Sequence, residues 1–393
     1  MTGRIDKEPA LLQAAGVKKT RDMRLDALRG LFLIIMAGVH VPTPLSQLFQ
    51  EPFGYVSAAE GFIFLGACLA GFVYGKTWLQ TNWKTMSRRA WKRSRLIYIV
   101  HLALVLSLVL VAWAAANRVA PLANHFHDFL QDPWRSLLLM PLLLHQPPLF
   151  DILPIYVIFL GATPLVLAAA RRRGWGMVLA FSVVGWLVAQ FKLNAGIPSD
   201  LSSGLPLCWG SFNLLAWQFL WVVGLALGET VLRRPIVPQK FRLGLAAPAA
   251  VIVTVGLLSR HGLWPQAWFS DNLFLWMDKW TLGPLRVLNF SAWAVLLLAW
   301  NPHPPKWFLA PTALLGRHSL AVFAFHLPLV IAASTVIQMF ELTNASQIAI
   351  GLLVIGSLFL WAALFERNKR RIQSATAPPA QVKPSSPLTP ANA

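Results

Sequence analysis

Apolar residues run along this chain in long blocks, separated by short basic or polar stretches. Ten such blocks cover about 25–41, 55–78, 96–116, 152–170, 175–191, 212–232, 243–259, 285–300, 311–333 and 348–365. Most match the ~17–25 residues a helix needs to cross a bilayer, the first and eighth being short. The pattern predicts an all-α, polytopic integral membrane protein of about ten transmembrane helices. Basic residues punctuate it with a regular alternation. Lys18, Lys19, Arg21 and Arg24 precede the first block, and Lys84, Arg88, Arg89, Lys92, Arg93 and Arg95 follow the second. Arg171, Arg172 and Arg173 follow the fourth, and Arg233, Arg234, Lys240 and Arg242 the sixth. Lys306 follows the eighth, and Arg367, Lys369, Arg370 and Arg371 the tenth. The opposite connections are lean, holding mainly Arg118, Arg135, Lys192, Arg260 and Lys279. Cationic loops stay on the cytoplasmic side, so both termini are expected there. The expected organisation is a cytoplasmic segment at 1–24, a ten-helix membrane domain at 25–366, and a tail at 367–393 that is first basic and then disordered. The end of that tail is rich in Pro, Ser and Ala and lacks the apolar content of a packed core.

Composition agrees with this reading. The chain has 393 residues, 56% hydrophobic and 12% charged, whereas a soluble domain carries about 25% charged residues. The net charge of +19 resides largely in the loops of one side. It therefore reads as a topology signal, and no aromatic-basic module or recognition helix points to nucleic acid. Cys68 and Cys208 have no metal-ligand spacing and read as packing residues. No cleavage site follows the first apolar block, which is expected to remain as an anchor. No permanently bound cofactor, metal or oligomeric state follows from the sequence.

Candidate chemistry begins in the first block. Asp26, Arg29 and His40 lie in LDALRGLFLIIMAGVHV, where an ionisable residue is costly and marks a functional candidate. Arg29 and His40 are eleven positions apart, which puts them within roughly 20° on one helix face and roughly 16 Å apart along it. Asp26 lies one turn before Arg29 and is placed to pair with it. Glu60 enters the second block from the side where His40 ends. A His–carboxylate pair there has the make-up of a general base, against the plainer reading of an interfacial histidine and a helix-capping glutamate. The segment SRRAWKRSR makes Arg88, Arg89, Arg93 and Arg95 candidates for gripping a polyphosphate, as well as a topological anchor. There is no Walker or Rossmann glycine fingerprint.

In the ninth block, LLGRHSLAVFAFHLP carries Arg317, His318, Ser319 and His326. Ser319 and His326 are about 10 Å apart along a helix, too far for direct proton transfer. His318 and His326 read as polar lining of a donor path, or His326 as a helix–helix hydrogen bonder. On the outer side, loop 117–151 holds His125, His127, Asp128, Asp132, His145 and Asp151. HQPPLFDILPIY presents His145, Asp151 and Tyr156 there, with Asp151 alternatively a helix cap. Loop 260–284 holds His261, Asp271, Asp278 and Lys279, with Trp264, Trp268 and Trp280 at headgroup level or lining a sugar site. Lys279 and Arg286, in DKWTLGPLR, are candidates for holding an anionic group or for snorkelling.

Six stretches together resemble a known family: RLDALRGLFLIIMAGVH, AAEGFIFLGACLAGFVYG, HQPPLFDILPIY, FNLLAWQFLWVVG, DKWTLGPLRVLNF and LLGRHSLAVFAFH. The spacing Arg29–x10–His40 resembles the signature of the membrane acyltransferase-3 superfamily. Within it the chain is most similar to the OpgC family of periplasmic-glucan succinyltransferases. The resemblance implies ten spans in a bacterial inner membrane, with lipid around them. It also implies transfer of an acyl group from a cytoplasmic coenzyme A thioester to a periplasmic glycan hydroxyl. It makes His40 the catalytic histidine, Arg29 the cytoplasmic-side arginine and His326 the histidine closing the last conserved block. Glu60 stands where the superfamily often has aspartate, and Gly66 and Ala67 occupy a region where it often has Ser-Gly.

The combined expectation is an O-succinyltransferase using succinyl-CoA, with acetyl-CoA as an alternative donor. The donor phosphates meet Arg88, Arg89, Arg93 and Arg95, and the donor path runs past Arg29, His318 and His326. His40 acts as base, oriented by Glu60 or Asp151. The substrate meets His145 and Tyr156, with Lys279 or Arg286 on the succinyl carboxylate. Another envelope polysaccharide as acceptor, or a proton-coupled transporter, are the rival readings. The absence of an inverted repeat or paired broken helices argues against the transporter.

Overall fold

The computed structural model describes residues 22–191, 211–233, 239–263 and 276–375. Lys18, Lys19, Arg21, Lys192, Cys208, Arg234, Trp264, Trp268, Asp271 and the tail beyond residue 375 lie outside the described residues. Ten helices carry the architecture: α1 (Met23–His40), α2 (Ala58–Gln80), α3 (Trp83–Ala115), α4 (Ile152–Gln190), α5 (Leu214–Arg233), α6 (Gln239–Arg260), α7 (Pro284–Trp300), α8 (Lys306–Arg317), α9 (Ser319–Met339) and α10 (Asn344–Ala375). Seven described helices, α2 to α6, α9 and α10, are long and apolar enough to cross a membrane, and α7 is a shorter apolar helix.

Local chemistry sets the helix starts. Asp22 caps α1 by accepting from the Arg24 amide, and Asn82 caps α3 through the Thr85 amide. Ser57 and Glu60 form a reciprocal capping box on α2, which satisfies amides that would otherwise be orphaned at that end. α2 and α5 run parallel with very close backbones. A β-carbon on Gly228 would strike the Cys68 carbonyl, and one on Gly71 would strike the Leu225 carbonyl. Where water is excluded, such small-residue contacts are a main source of helix association.

Blocks 152–170 and 175–191 match two helices, the halves of α4, which meet at a break at Gly174 (φ 81°, ψ 156°). Only glycine enters that region without strain, and the break follows Arg171–Arg173 directly. Block 311–333 is not one helix. α8 ends at Arg317, His318 has non-helical backbone, and α9 starts at Ser319. Gly316 faces the backbone of Asp26, and Gly30 faces the backbone of Thr312, so α8 runs antiparallel to α1. α9 turns back and runs parallel to it. Period counting registers continuous apolarity and does not register this reversal.

The Gly30 contact yields a prediction. Any larger side chain there meets backbone, which cannot rotate aside. Gly30→Val is expected to destabilise the protein by about 1–3 kcal/mol or more, read as a lowered unfolding temperature in detergent.

The outer loop folds back instead of projecting. Ser94 donates to the Val157 carbonyl and Trp91 to the Gly161 carbonyl, 2.8 and 3.0 Å. These bonds set α4 antiparallel to the first part of α3. The short helices Ala120–His125, His127–Gln131 and Pro133–Leu139 bring the chain back along α3, where Tyr98 donates to the Pro141 carbonyl at 2.7 Å.

Candidate functional site

His40 is the last residue of α1, where the chain leaves the helix at Val41 in extended conformation. Its ring stacks on that of His326 from α9, with centroids 5.8 Å apart and planes at 19°. His326 Nδ1 lies 2.7 Å from the Phe323 carbonyl. A carbonyl only accepts, so Nδ1 carries the proton and Nε2 of the neutral ring is an acceptor. That Nε2 and His40 Nδ1 are buried and have no hydrogen-bond partner among the described residues. Further back along the same two helices, at the start of α9, Arg29 donates to Ser319 Oγ at 2.7 Å, and its guanidinium lies 5.6 Å from the centre of the Phe62 ring. Asp26 is buried beside this region.

The carboxylates expected to orient His40 are engaged elsewhere. Glu60, fully buried, accepts from Arg286 Nη1 at 2.6 Å and from the Ser57 hydroxyl and amide. Asp151 accepts from the Ser211 amide at 2.9 Å. Burial pushes the Asp151 carboxyl up from its ordinary value, with the Ser211 bonds opposing that. The ring beside His40 is His326, which the sequence assigned to the donor path.

Arg286 is also placed differently from the expectation. It is 2% exposed, and its guanidinium binds Glu60, Glu51 and the Met277 carbonyl. Glu51 in turn pairs with Arg260 at 2.7 Å. Burial pushes the Glu51 carboxyl up, but Arg286 and Arg260 together hold it below the ordinary carboxylate range. The chain Arg260–Glu51–Arg286–Glu60 is charge-balanced and closed, leaving Arg286 no free edge for a substrate carboxylate. It ties the ends of α6 and α7 to the segment between α1 and α2. Glu51 and Arg260 were missed because their sequence separation gives no signal of contact.

Lys279 is the cation near the pair, and its charge reaches His40. Its ammonium lies 5.1 Å from the centre of the Trp280 ring. A tight turn presents it: Asp278 accepts from the Thr281 amide and hydroxyl, and its carbonyl accepts from Gly283. Trp186 and Gln190 clamp the turn from α4 through the Leu282 and Thr281 carbonyls, at 2.8 and 2.7 Å.

Tyr156 is not at the surface. It is buried, donates to the Phe62 carbonyl at 2.6 Å and packs on Trp221 and Phe62. The charges of Arg29 and Arg93 both reach this tyrosine, so the exposed basic face of α3 and the first end of α1 approach a common point. Arg88, Arg89, Arg93 and Arg95 are all exposed, with Arg89 3.4 Å from the Thr77 hydroxyl. His318 is held by Glu366 of α10 at 2.7 Å, which makes it a fastener of the α8–α9 turn. His145 is buried against Phe129, ring centroids 4.3 Å apart.

The family model described as OpgC protein matches residues 21–370. The chain belongs to the OpgC family. The match takes in every helix named above except the last turn of α10, and with it His40, His326, Arg29 and the basic face of α3. Among curated proteins and among solved structures none matches the chain. The geometry of this OpgC-family site therefore stands on its own coordinates.

Proposed function

We propose that the protein is a membrane O-acyltransferase that moves a succinyl group from cytoplasmic succinyl-CoA to hydroxyls of periplasmic glucans. Ten crossings of the bacterial inner membrane, with both termini cytoplasmic, are part of this reading. They follow from counting α1, α7 and the two halves of α4 with the remaining long helices. The observation that carries the proposal is the stacked His40–His326 pair, where α1 ends against the interior of α9, with Arg29–Ser319 joining the interior of α1 to the start of α9. Family membership supports an acyltransferase acting on glucan.

Arg88, Arg89, Arg93 and Arg95 hold the donor phosphates, and the acyl arm passes Arg29 toward His40. His40 takes the proton from an acceptor hydroxyl, and the oxygen attacks the thioester carbonyl. The tetrahedral intermediate collapses with loss of the CoA thiolate, to which His40 returns the proton. His326, with its tautomer fixed by the Phe323 carbonyl, holds the His40 ring face and offers a second acceptor nitrogen beside it. Lys279 is the residue that receives the succinyl carboxylate, since Arg286 is buried and already paired with Glu60 and Glu51.

Mass spectrometry of periplasmic glucans from cells with and without this gene tests the reaction. The expected result is glucan present in both, with succinyl esters only where the gene is intact; succinylated glucan in its absence overturns the reading. Lys279→Ala tests donor choice. It is expected to weaken use of succinyl-CoA by about ten- to hundredfold, the worth of one hydrogen bond to a charged group, with acetyl-CoA turnover little changed.

A further inference from the structure

Between the middle of α3 and the loop that leads into α4 lies a cluster of polar side chains that the scheme above leaves unused. His101 of α3 is 0% exposed, Gln146 3% and His145 7%. Both ring nitrogens of each histidine and both amide atoms of Gln146 lack a hydrogen-bond partner among the described residues. His101 faces the Gln146 amide without closing a bond of normal geometry. His125 lies against the Pro148 carbonyl, its Nε2 likewise unpartnered. Apolar rings flank the group: Phe150 lies 6.4 Å from the His101 ring and Phe129 4.3 Å from that of His145. Buried polar groups are normally satisfied, and these exceptions, His101 facing Gln146 and His145 next to it in the chain, call for an explanation.

The chemistry of the cluster selects its ligand. A neutral imidazole offers one donor and one acceptor, and a carboxamide offers both. An anion would satisfy only the donors and a cation only the acceptors, whereas hydroxyl groups donate and accept at once. The flanking rings suit the C–H faces of a sugar. Burial holds the His145 imidazole below its ordinary value, which agrees with a neutral site. We propose that His101, Gln146 and His145 form a subsite for the hydroxyls of a neutral carbohydrate, holding a sugar unit of the acceptor away from the reacting hydroxyl. This rests on the acyl-transfer reading for its role, but not for the binding itself.

The test uses the full-length protein in detergent with a neutral linear β-glucan oligosaccharide as probe. Binding is titrated directly, and transfer from acyl-CoA is measured in parallel. The double variant His101→Phe/Gln146→Met and the single variant Gln146→Met are compared with wild type. Both replace unpartnered polar groups with apolar ones of similar bulk, so unfolding temperatures are expected to be unchanged or raised. Oligosaccharide affinity is expected to fall at least tenfold in the double variant and measurably in the single one, with KM for acyl-CoA unchanged. Unchanged oligosaccharide affinity in a folded variant overturns the subsite and makes the cluster an internal, hydrated packing feature. If the double variant does not fold, Gln146→Met alone decides by the same criterion. A wild type that binds oligosaccharide through these residues yet acylates nothing removes the transfer reading and leaves the subsite standing.

Discussion

His40→Ala is expected to lower acyl transfer by at least about a hundredfold, the lower end of what a positioned general base contributes. The protein should remain folded in the membrane. His40 terminates α1 and is only partly buried, so its removal breaks no ion pair and no helix interior. Loss of rate should appear mainly in kcat, since the residues proposed to hold the donor phosphates are on α3. His326→Ala should be milder, because it removes the face against which His40 is held and leaves the base itself. Turnover of succinyl-CoA by purified variants distinguishes these outcomes. Wild-type rates in His40→Ala, with a normal unfolding temperature, would exclude the proposed chemistry.

Arg286→Met should have the largest effect on stability. Among the described residues, Arg286 is the cation paired with Glu60, a fully buried carboxylate, and one of two paired with Glu51. Removing one side of a buried pair leaves an uncompensated charge and costs about 3–5 kcal/mol. That is a large part of the 5–15 kcal/mol that typically holds a domain together. Most of the variant should therefore be lost to aggregation or degradation, measured as folded yield and unfolding temperature. Combining Arg286→Met with Glu60→Gln removes the stranded charge and should recover part of the loss. Full stability of Arg286→Met alone would show that the carboxylates are not held charged by it.

Hydrophobic periodicity was enough to place α1, α2, both halves of α4, α5, α6 and α7 to within a few residues, because each crosses or lines an apolar medium with little interruption; α3 starts at Trp83, well before its apolar block, because the basic stretch ahead of that block is helical too. It misjudged the region around residue 318. The reversal there depends on Gly30 and Gly316 allowing backbones to touch, which is a property of two helices and not of one. The polar quartet Gly316–Arg317–His318–Ser319 was the available signal. The same limit applied to the site. His40 and Arg29 stood out because charge in an apolar block is costly, a feature local to the sequence. The pairing of His40 with His326 depends on how α1 meets α9, across almost the whole chain. Glu60 was read as the carboxylate that orients His40, with a helix cap as the plainer alternative, and it is the cap that the structure shows. Its partner Arg286 lies on a helix far away in sequence, so an ion pair was read as two separate binding groups.

The two contacts between α1 and α9 have a mechanical consequence. Arg29–Ser319 and His40–His326 join the same parallel helices at two levels, like rungs on a pair of rails. Neither helix can slide or rotate against the other at one rung without disturbing the second. The spacing along α1 between the basic end and the base is thereby locked at roughly 16 Å by helix rise. On the proposed acyl-transfer reading this spacing acts as a gauge: a donor anchored by its phosphates would be measured by the length of its arm before its carbonyl met the histidine, and a shorter activated acyl compound would stop short of it.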